Sequence, residues 1–381
     1  MPIGHPMPAR ELREDHRAAT MLELFFDLVA VIAIASVTAQ FHHAISAGHG
    51  AENLMNFLFV FTGIWWAWMN FTWFASGFDN DDAIYRAFTI VIMAGYLGFA
   101  AGIEYFFENL NFSYSLVGWV LMRLGMMGLW YRAAMHNPAQ KGVAMRSFWG
   151  LAFVQSLWIA YVFGVDISHP LYMVIGGLIF LIEFSVPVFA SRAGSVPWHR
   201  HHIIERYGLL NTIVLGEVLL SVSFMLAKLY VSDFDAALLY GAISGMVIVF
   251  VIWWIYFLEH EHLNSERILH VFVWGYGHLG IFCSGALLAV GLGVHFDVLT
   301  HHSQATMWTA NAIINLSVAV YFATLWTIRD AHHRLGMRRS VLPVAAITLV
   351  GAAYFGLGPH YTALVCLLTL GLRIPFSKME S

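Results

Sequence analysis

The sequence predicts an all-α, polytopic membrane protein of about 12 transmembrane helices in two parallel six-helix repeats. Three observations lead there. Hydrophobic residues make up 59% of the 381 positions and charged residues 11%, less than half of the roughly one quarter found in soluble domains. The apolar residues come in continuous runs of about 20, the length that crosses the hydrocarbon core as a helix, and not in the alternation of a strand barrel. With one exception, lysine and arginine gather in every second connection between runs, as the positive-inside rule requires.

In order, the runs centre on 21–41, 54–77, 84–103, 113–133, 147–164, 170–190, 207–227, 237–258, 269–290, 306–327, 340–355 and 360–374. The last two are short and separated by Gly356-Leu-Gly-Pro359, so ten or eleven spans, or a re-entrant final hairpin, also fit. The first run begins at Met21 without a cleavage pattern and leads directly into more membrane, so it reads as a retained span and not as a leader. A cytoplasmic N-terminus puts Arg10, Arg13, Arg17, Arg86, Arg132, Lys141, Arg146, Arg192, Arg200, Arg206, Arg267, Arg329, Arg334, Arg338, Arg339, Arg373 and Lys378 on the inner side. Arg123 lies within span four, and Lys228 alone falls outside. The outer connections carry Glu52, Glu104, Glu108, Asp166, Asp233, Asp235 and Asp297. Both termini are therefore expected in the cytoplasm.

Landmarks recur at half the chain length. Ile64-Trp-Trp-Ala-Trp68 in span two matches Ile252-Trp-Trp-Ile-Tyr256 in span eight. Each follows a span opening on an acidic residue, Glu23 and Glu205. Arg86 and Arg267 open the next spans, and Gly95-Tyr96 parallels Gly275-Tyr276. These matches divide the chain into an N-terminal segment (1–19), a first repeat (20–191), a linker (192–199), a second repeat (200–375) and a tail (376–381). Six spans per half make the repeats parallel. Chance pairing among 14 tryptophans is the competing explanation.

A net charge of −4 and the lack of a long basic run exclude nucleic acid as a partner. Cys283 and Cys366 both sit in apolar runs, so no disulfide framework is expected. No phosphate-binding glycine loop, nucleophile elbow or haem-attachment motif occurs, and no cofactor is expected.

Ionised groups cost at least about 2.5–3.5 kcal/mol at the bilayer centre, so those inside the runs are the candidate functional residues. They are Glu23, Asp27, Arg123, Glu183, Glu205 and Glu217, joined by His278 inside span nine as a proton-pathway candidate. Glu23 and Asp27 are four apart and share a helix face, where two carboxylates repel and could share a proton. Glu23 also suits a helix start for dipole reasons alone. Glu205 and Glu217 lie about 18 Å apart along their helix, too far for contact. Arg123 requires a buried carboxylate, with Glu217 ranked ahead of Asp27 and Glu183. In His199-Arg-His-His-Ile-Ile-Glu-Arg206, the pairs His201/Glu205 and His202/Arg206 are each four apart. His201, His202 and Glu205 are weak metal candidates, and no metal is expected because no HExxH accompanies them.

Leu22-Glu-Leu-Phe-Phe-Asp-Leu-Val29 resembles the opening signature of the bacterial low temperature requirement protein A family. His202-Ile-Ile-Glu-Arg-Tyr-Gly-Leu-Leu-Asn-Thr-Ile-Val-Leu-Gly-Glu217 resembles its second signature, and the likeness covers essentially residues 15–375. One departure is Val218, where members often carry serine. The resemblance implies a multipass protein of the bacterial inner membrane with acidic positions at Glu23, Asp27, Glu205 and Glu217. It brings no biochemical activity with it. Three functions then fit the sequence: a secondary, proton-coupled transporter; a proton or cation channel; and a membrane-embedded redox or haem-binding enzyme. The expected partners are membrane lipid and protons or a small solute, and a homo-oligomer is compatible with the sequence.

Overall fold

The computed structural model describes residues 6–10, 18–231, 235–259, 268–332 and 336–374. Arg13, Arg17, Asp233, Arg267, His333, Arg334, Lys378 and the 376–381 tail lie outside the described residues.

The described chain is helical: α1 (Met21–Ser46), α2 (Gly50–Phe78), α3 (Ala83–Ala101), α4 (Ile103–Asn109), α5 (Ser113–His136), α6 (Lys141–Gly164), α7 (Tyr172–Ser191), α8 (Arg200–Val231), α9 (Ala236–Leu258), α10 (Ile268–Leu299), α11 (Met307–Ile328), α12 (Val341–Tyr354) and α13 (Pro359–Arg373). Among the described residues, nine helical stretches are long and apolar enough to cross a membrane, with α3 and α4 counted as one. The expectation of twelve is not met by that measure, for two reasons. In α5, Arg123, Arg132 and the glycines at 118, 125 and 128 take the place of aliphatic residues and lower the hydropathy. The α12 and α13 helices have 14 and 15 residues, about 21 and 22 Å at 1.5 Å per residue, against a hydrocarbon core of about 30 Å.

Two helices extend beyond their apolar runs. The α8 helix starts seven residues before the run at 207, taking His202 and Arg206 into the helix. The α10 helix continues nine residues past 290, so Asp297, expected in an outer connection, is helical, as is His295. Polar ends are invisible to a hydropathy window but cost a helix little once the side chains find partners.

The chain divides into two compact units, Met1–Gln40 with Met55–Arg206, and Phe41–Leu54 with Tyr207–Ser381. In the first, α3 packs along α5, α5 against α6, and α6 against α7. The α3–α5 crossing depends on glycine. A Cβ on Gly118 would fall on the backbone of Gly95, Gly98 and Phe99, and one on Gly95 would lie 2.6 Å from the Met122 nitrogen. Small residues let helix backbones approach in the membrane, where packing replaces the hydrophobic effect. Gly118→Ala should therefore lower stability by about 1–3 kcal/mol, seen as a reduced melting temperature in detergent. Gly177→Ala, at a position with open space around it, should leave it unchanged. Asp82 caps α3 by accepting from the Tyr85 backbone N–H at 2.8 Å and holds α5 through both terminal nitrogens of Arg132.

In the second unit, α10 packs on α11, α11 on α12, and α13 on α9. Buried Asp330 anchors this end. It accepts from Arg329 Nε at 2.9 Å and pairs with Arg373, while Arg329 also donates to the Tyr256 carbonyl at 2.7 Å.

Candidate functional site

Helix α1 begins with a capping box, the Ser/Thr-x-x-Glu arrangement in which end and side chain satisfy each other. The Glu23 backbone N–H donates to Thr20 Oγ1 at 3.3 Å, and the Thr20 N–H donates to Glu23 Oε2 at 2.8 Å. The other oxygen, Oε1, faces His202 Nε2 at 2.9 Å and Arg206 Nη1 at 3.2 Å. One turn deeper, Asp27 Oδ1 receives Arg206 Nη2 at 2.5 Å and the Trp68 indole N–H at 2.7 Å. Glu23, Asp27, His202 and Arg206 are all fully buried.

The site is built from i,i+4 pairs, which place two side chains on one helix face. The α1 helix contributes Glu23 and Asp27, α8 contributes His202 and Arg206, and α2 contributes Trp68 and Thr72, whose hydroxyl accepts from Arg206 at 3.5 Å. The planar guanidinium donates in a fork, so a single arginine serves two carboxylates. The expected repulsion between Glu23 and Asp27 is thus met by a cation that the sequence reading had assigned to the cytoplasmic loop. Two carboxylates and one guanidinium carry a formal charge of −1, which one proton brings to zero. Asp27 Oδ2 is buried and has no hydrogen-bond partner among the described residues.

A second buried pair lies in the same unit. Arg123 Nη2 meets Glu183 Oε1 at 2.5 Å, and Glu183 Oε2 accepts the Trp158 indole N–H at 2.8 Å. The Arg123 guanidinium lies 4.1 Å from the centre of the Trp119 ring. This corrects the expected order of partners: Glu183, ranked last, holds Arg123, while Asp27 is engaged by Arg206. Asp27 and Glu183 are held alike, each by one guanidinium and one indole. Without water, the protein must supply every donor itself. The amide of Gln155, one turn from Trp158 on α6, is buried with neither atom hydrogen-bonded among the described residues.

The remaining candidates are placed differently. Glu205 and His201 are exposed on the face of α8 away from His202 and Arg206. Among the described residues no group of three His, Cys, Asp or Glu side chains is spaced to hold a metal. Glu217 is half-buried, and its side chain makes no ion pair among the described residues. His278 is fully buried in the second unit against Tyr207, Trp274 and Phe282. Its Nδ1 lies 2.8 Å from the Trp274 carbonyl, which can only accept, so Nδ1 carries the hydrogen. Its Nε2 accepts from the Tyr256 hydroxyl at 3.0 Å. Nε2 thus ties α10 to α9 through Tyr256, and Nδ1 is held within α10 by the Trp274 carbonyl, so both nitrogens are engaged.

Sequence reasoning missed Arg206, Trp68 and Trp158. Arg206 could have been found, because its spacing from His202 mirrors that of Asp27 from Glu23. It also missed a polar group in the second unit, where Asp297 Oδ2 accepts from Ser46 Oγ at 2.8 Å and lies 2.8 Å from His42 Nε2.

The family model described as bacterial low temperature requirement A protein (LtrA) matches residues 18–373. An uncharacterized protein of Rhizobium meliloti (strain 1021) is 22% identical over 346 residues, covering 86% of this chain and 81% of the relative. No solved structure matches the chain.

Proposed function

Because this chain belongs to the bacterial low temperature requirement A family, a family of membrane proteins, we propose that it is a proton-coupled secondary transporter of a small solute in the bacterial inner membrane. A polytopic helical protein with buried charged groups is consistent with a transport-like role. The observation that carries the proton coupling is the Glu23–His202–Arg206–Asp27 cluster. It is fully buried, it sets two carboxylates and a titratable imidazole around one guanidinium, and Asp27 keeps one oxygen without a hydrogen bond among the described residues. A low-dielectric interior favours zero net charge, so the cluster is a place where one proton is taken up and given back. Protonating Asp27 would weaken its hold on Arg206 and free the guanidinium to move or to meet a solute. Arg123 and Glu183 form a second buried pair, neutral as it stands, and the buried Gln155 amide lies one turn along α6 from Trp158, the indole donor to Glu183.

The finer architecture belongs to the same reading. Twelve spans in two parallel six-helix repeats, with both termini cytoplasmic, would put an acidic residue near the opening of each half, Glu23 and Glu205, with Glu217 and His278 on the pathway side of the second half.

The test is reconstitution into vesicles loaded with a pH-reporting dye. Under an imposed proton gradient, adding the transported member of a solute panel should acidify the lumen. Asp27→Asn should abolish this proton movement while solute exchange at equal concentrations persists. Unchanged proton movement in a folded Asp27→Asn variant would remove the cluster from the mechanism. Proton movement without any solute would replace a carrier with a channel.

A further inference from the structure

Helices α6 and α7 leave a groove of about 510 Å³ between them, on the side where α6 starts and α7 ends. Met145, Trp149 and Phe153 line one wall and Ile182, Val186 and Phe189 the other. Gly150 forms part of the floor, and a Cβ there would come within 2.5 Å of Val186 Cγ1. From Met145 to Phe153 the groove runs about 12 Å along the helix, close to the reach of one bilayer leaflet. Trp149, Phe153, Ile182 and Phe189 are exposed, and both helices qualify as membrane-spanning, so the groove faces hydrocarbon.

One cation stands in this apolar groove. The Arg146 guanidinium lies 5.1 Å from the centre of the Phe189 ring and donates to the Phe189 carbonyl at a long 3.4 Å. Elsewhere in the unit Arg86, Arg123, Arg132 and Arg206 each hold a carboxylate. Among the described residues Arg146 has none. Lys141 opens α6 and Arg192 ends α7, adding positive charge at the same mouth. No acidic residue occurs in 109–165 or 184–204 to offset them.

We propose that this groove binds one anionic phospholipid, with its phosphate on Arg146 and an acyl chain between α6 and α7. An arginine fork presents parallel N–H donors that match phosphate oxygens, and basic pockets between spanning helices suit anionic headgroups. A zwitterionic lipid would fill the groove equally well but would bring its own cation to a mouth that is already positive. Charge therefore selects the occupant, and the apolar walls select a lipid over a free phosphate.

The test measures lipid retention by native mass spectrometry, alongside thermal unfolding, on the full chain with phosphatidylglycerol, phosphatidylcholine or glycerol 3-phosphate. The wild type should retain phosphatidylglycerol about fivefold better than phosphatidylcholine, the effect of one interfacial arginine. Arg146→Gln should erase this preference. Ser185→Phe should reduce retention of both lipids by filling the groove with Arg146 intact, and it keeps the proposal falsifiable if Arg146→Gln fails to fold. Ser185 is an exposed groove residue whose hydroxyl, among the described residues, bonds only its own helix, at the Ile182 carbonyl. Equal retention of the two lipids by the wild type, or wild-type retention in either folded variant, would overturn the proposal. So would glycerol 3-phosphate stabilising the protein as much as phosphatidylglycerol.

Discussion

Arg123→Met should destabilise the protein by about 3–5 kcal/mol, among the largest effects expected of any single substitution in the first unit. The loss arises because Glu183 would be left fully buried with one indole donor and no counter-charge, and an unpaired buried charge costs more than the pair contributes. Glu183→Met alone should cost a similar amount by stranding Arg123, which would keep the Trp119 ring but lose its carboxylate. The double variant should recover part of both losses, since two apolar side chains of similar volume need no partner. Measured as a double-mutant cycle on detergent-solubilised protein, the coupling should reach the upper part of the roughly 0.5–3 kcal/mol range of contacting residues. Additive losses would show that the pair is not an energetic unit. The corresponding cycle with Glu217 should show no coupling, because that carboxylate makes no ion pair among the described residues.

The second large effect is expected at Arg206. Arg206→Met leaves Glu23 and Asp27 one turn apart and fully buried, with the Thr20 N–H, His202 and Trp68 among the donors that remain but without the guanidinium. A loss of at least about 3 kcal/mol follows from breaking the buried pair. Adding Asp27→Asn should restore a substantial part, because it removes one of the two repelling charges while keeping an acceptor for the Trp68 indole. Arg206→Lys should be intermediate. A single ammonium keeps the charge but lacks the fork that reaches Glu23 at 3.2 Å and Asp27 at 2.5 Å. Thermal unfolding of the four proteins decides the matter, and equal stability of Arg206→Met and the double variant would reject the charge argument.

These two arginines illustrate the limits of reading charge along a chain. Counting Lys and Arg by connection treats every basic residue as a solvated loop charge, yet Arg132, Arg206, Arg329 and Arg373 are buried against Asp82, Glu23 with Asp27, and Asp330. A hydropathy window ends a span where glycine and polar residues dilute the apolar run, which is why α8 and α10 run longer than their apolar stretches. The carboxylates were legible as candidates because an acid inside an apolar run is expensive wherever it points. Their partners were not, because Trp68 and Trp158 look like any other aromatic in a membrane helix until the fold aims an indole N–H at an oxygen.

By itself the sequence determined the helical membrane class, the family and the short set of acids and one arginine that the bilayer would penalise. These follow from local quantities: residue type, run length and i,i+4 spacing on a helix. Only the tertiary structure decided that Arg123 belongs to Glu183, that Arg206 bridges Glu23 and Asp27, and that His278 has both nitrogens engaged. Apart from the bond of His278 to the Trp274 carbonyl within α10, each of these pairings joins residues from different helices. Which helices meet, and in what rotation, depends on where glycines such as Gly95 and Gly118 let backbones close and where bulky side chains hold them apart. That is a property of packing in three dimensions, and no single helix carries it.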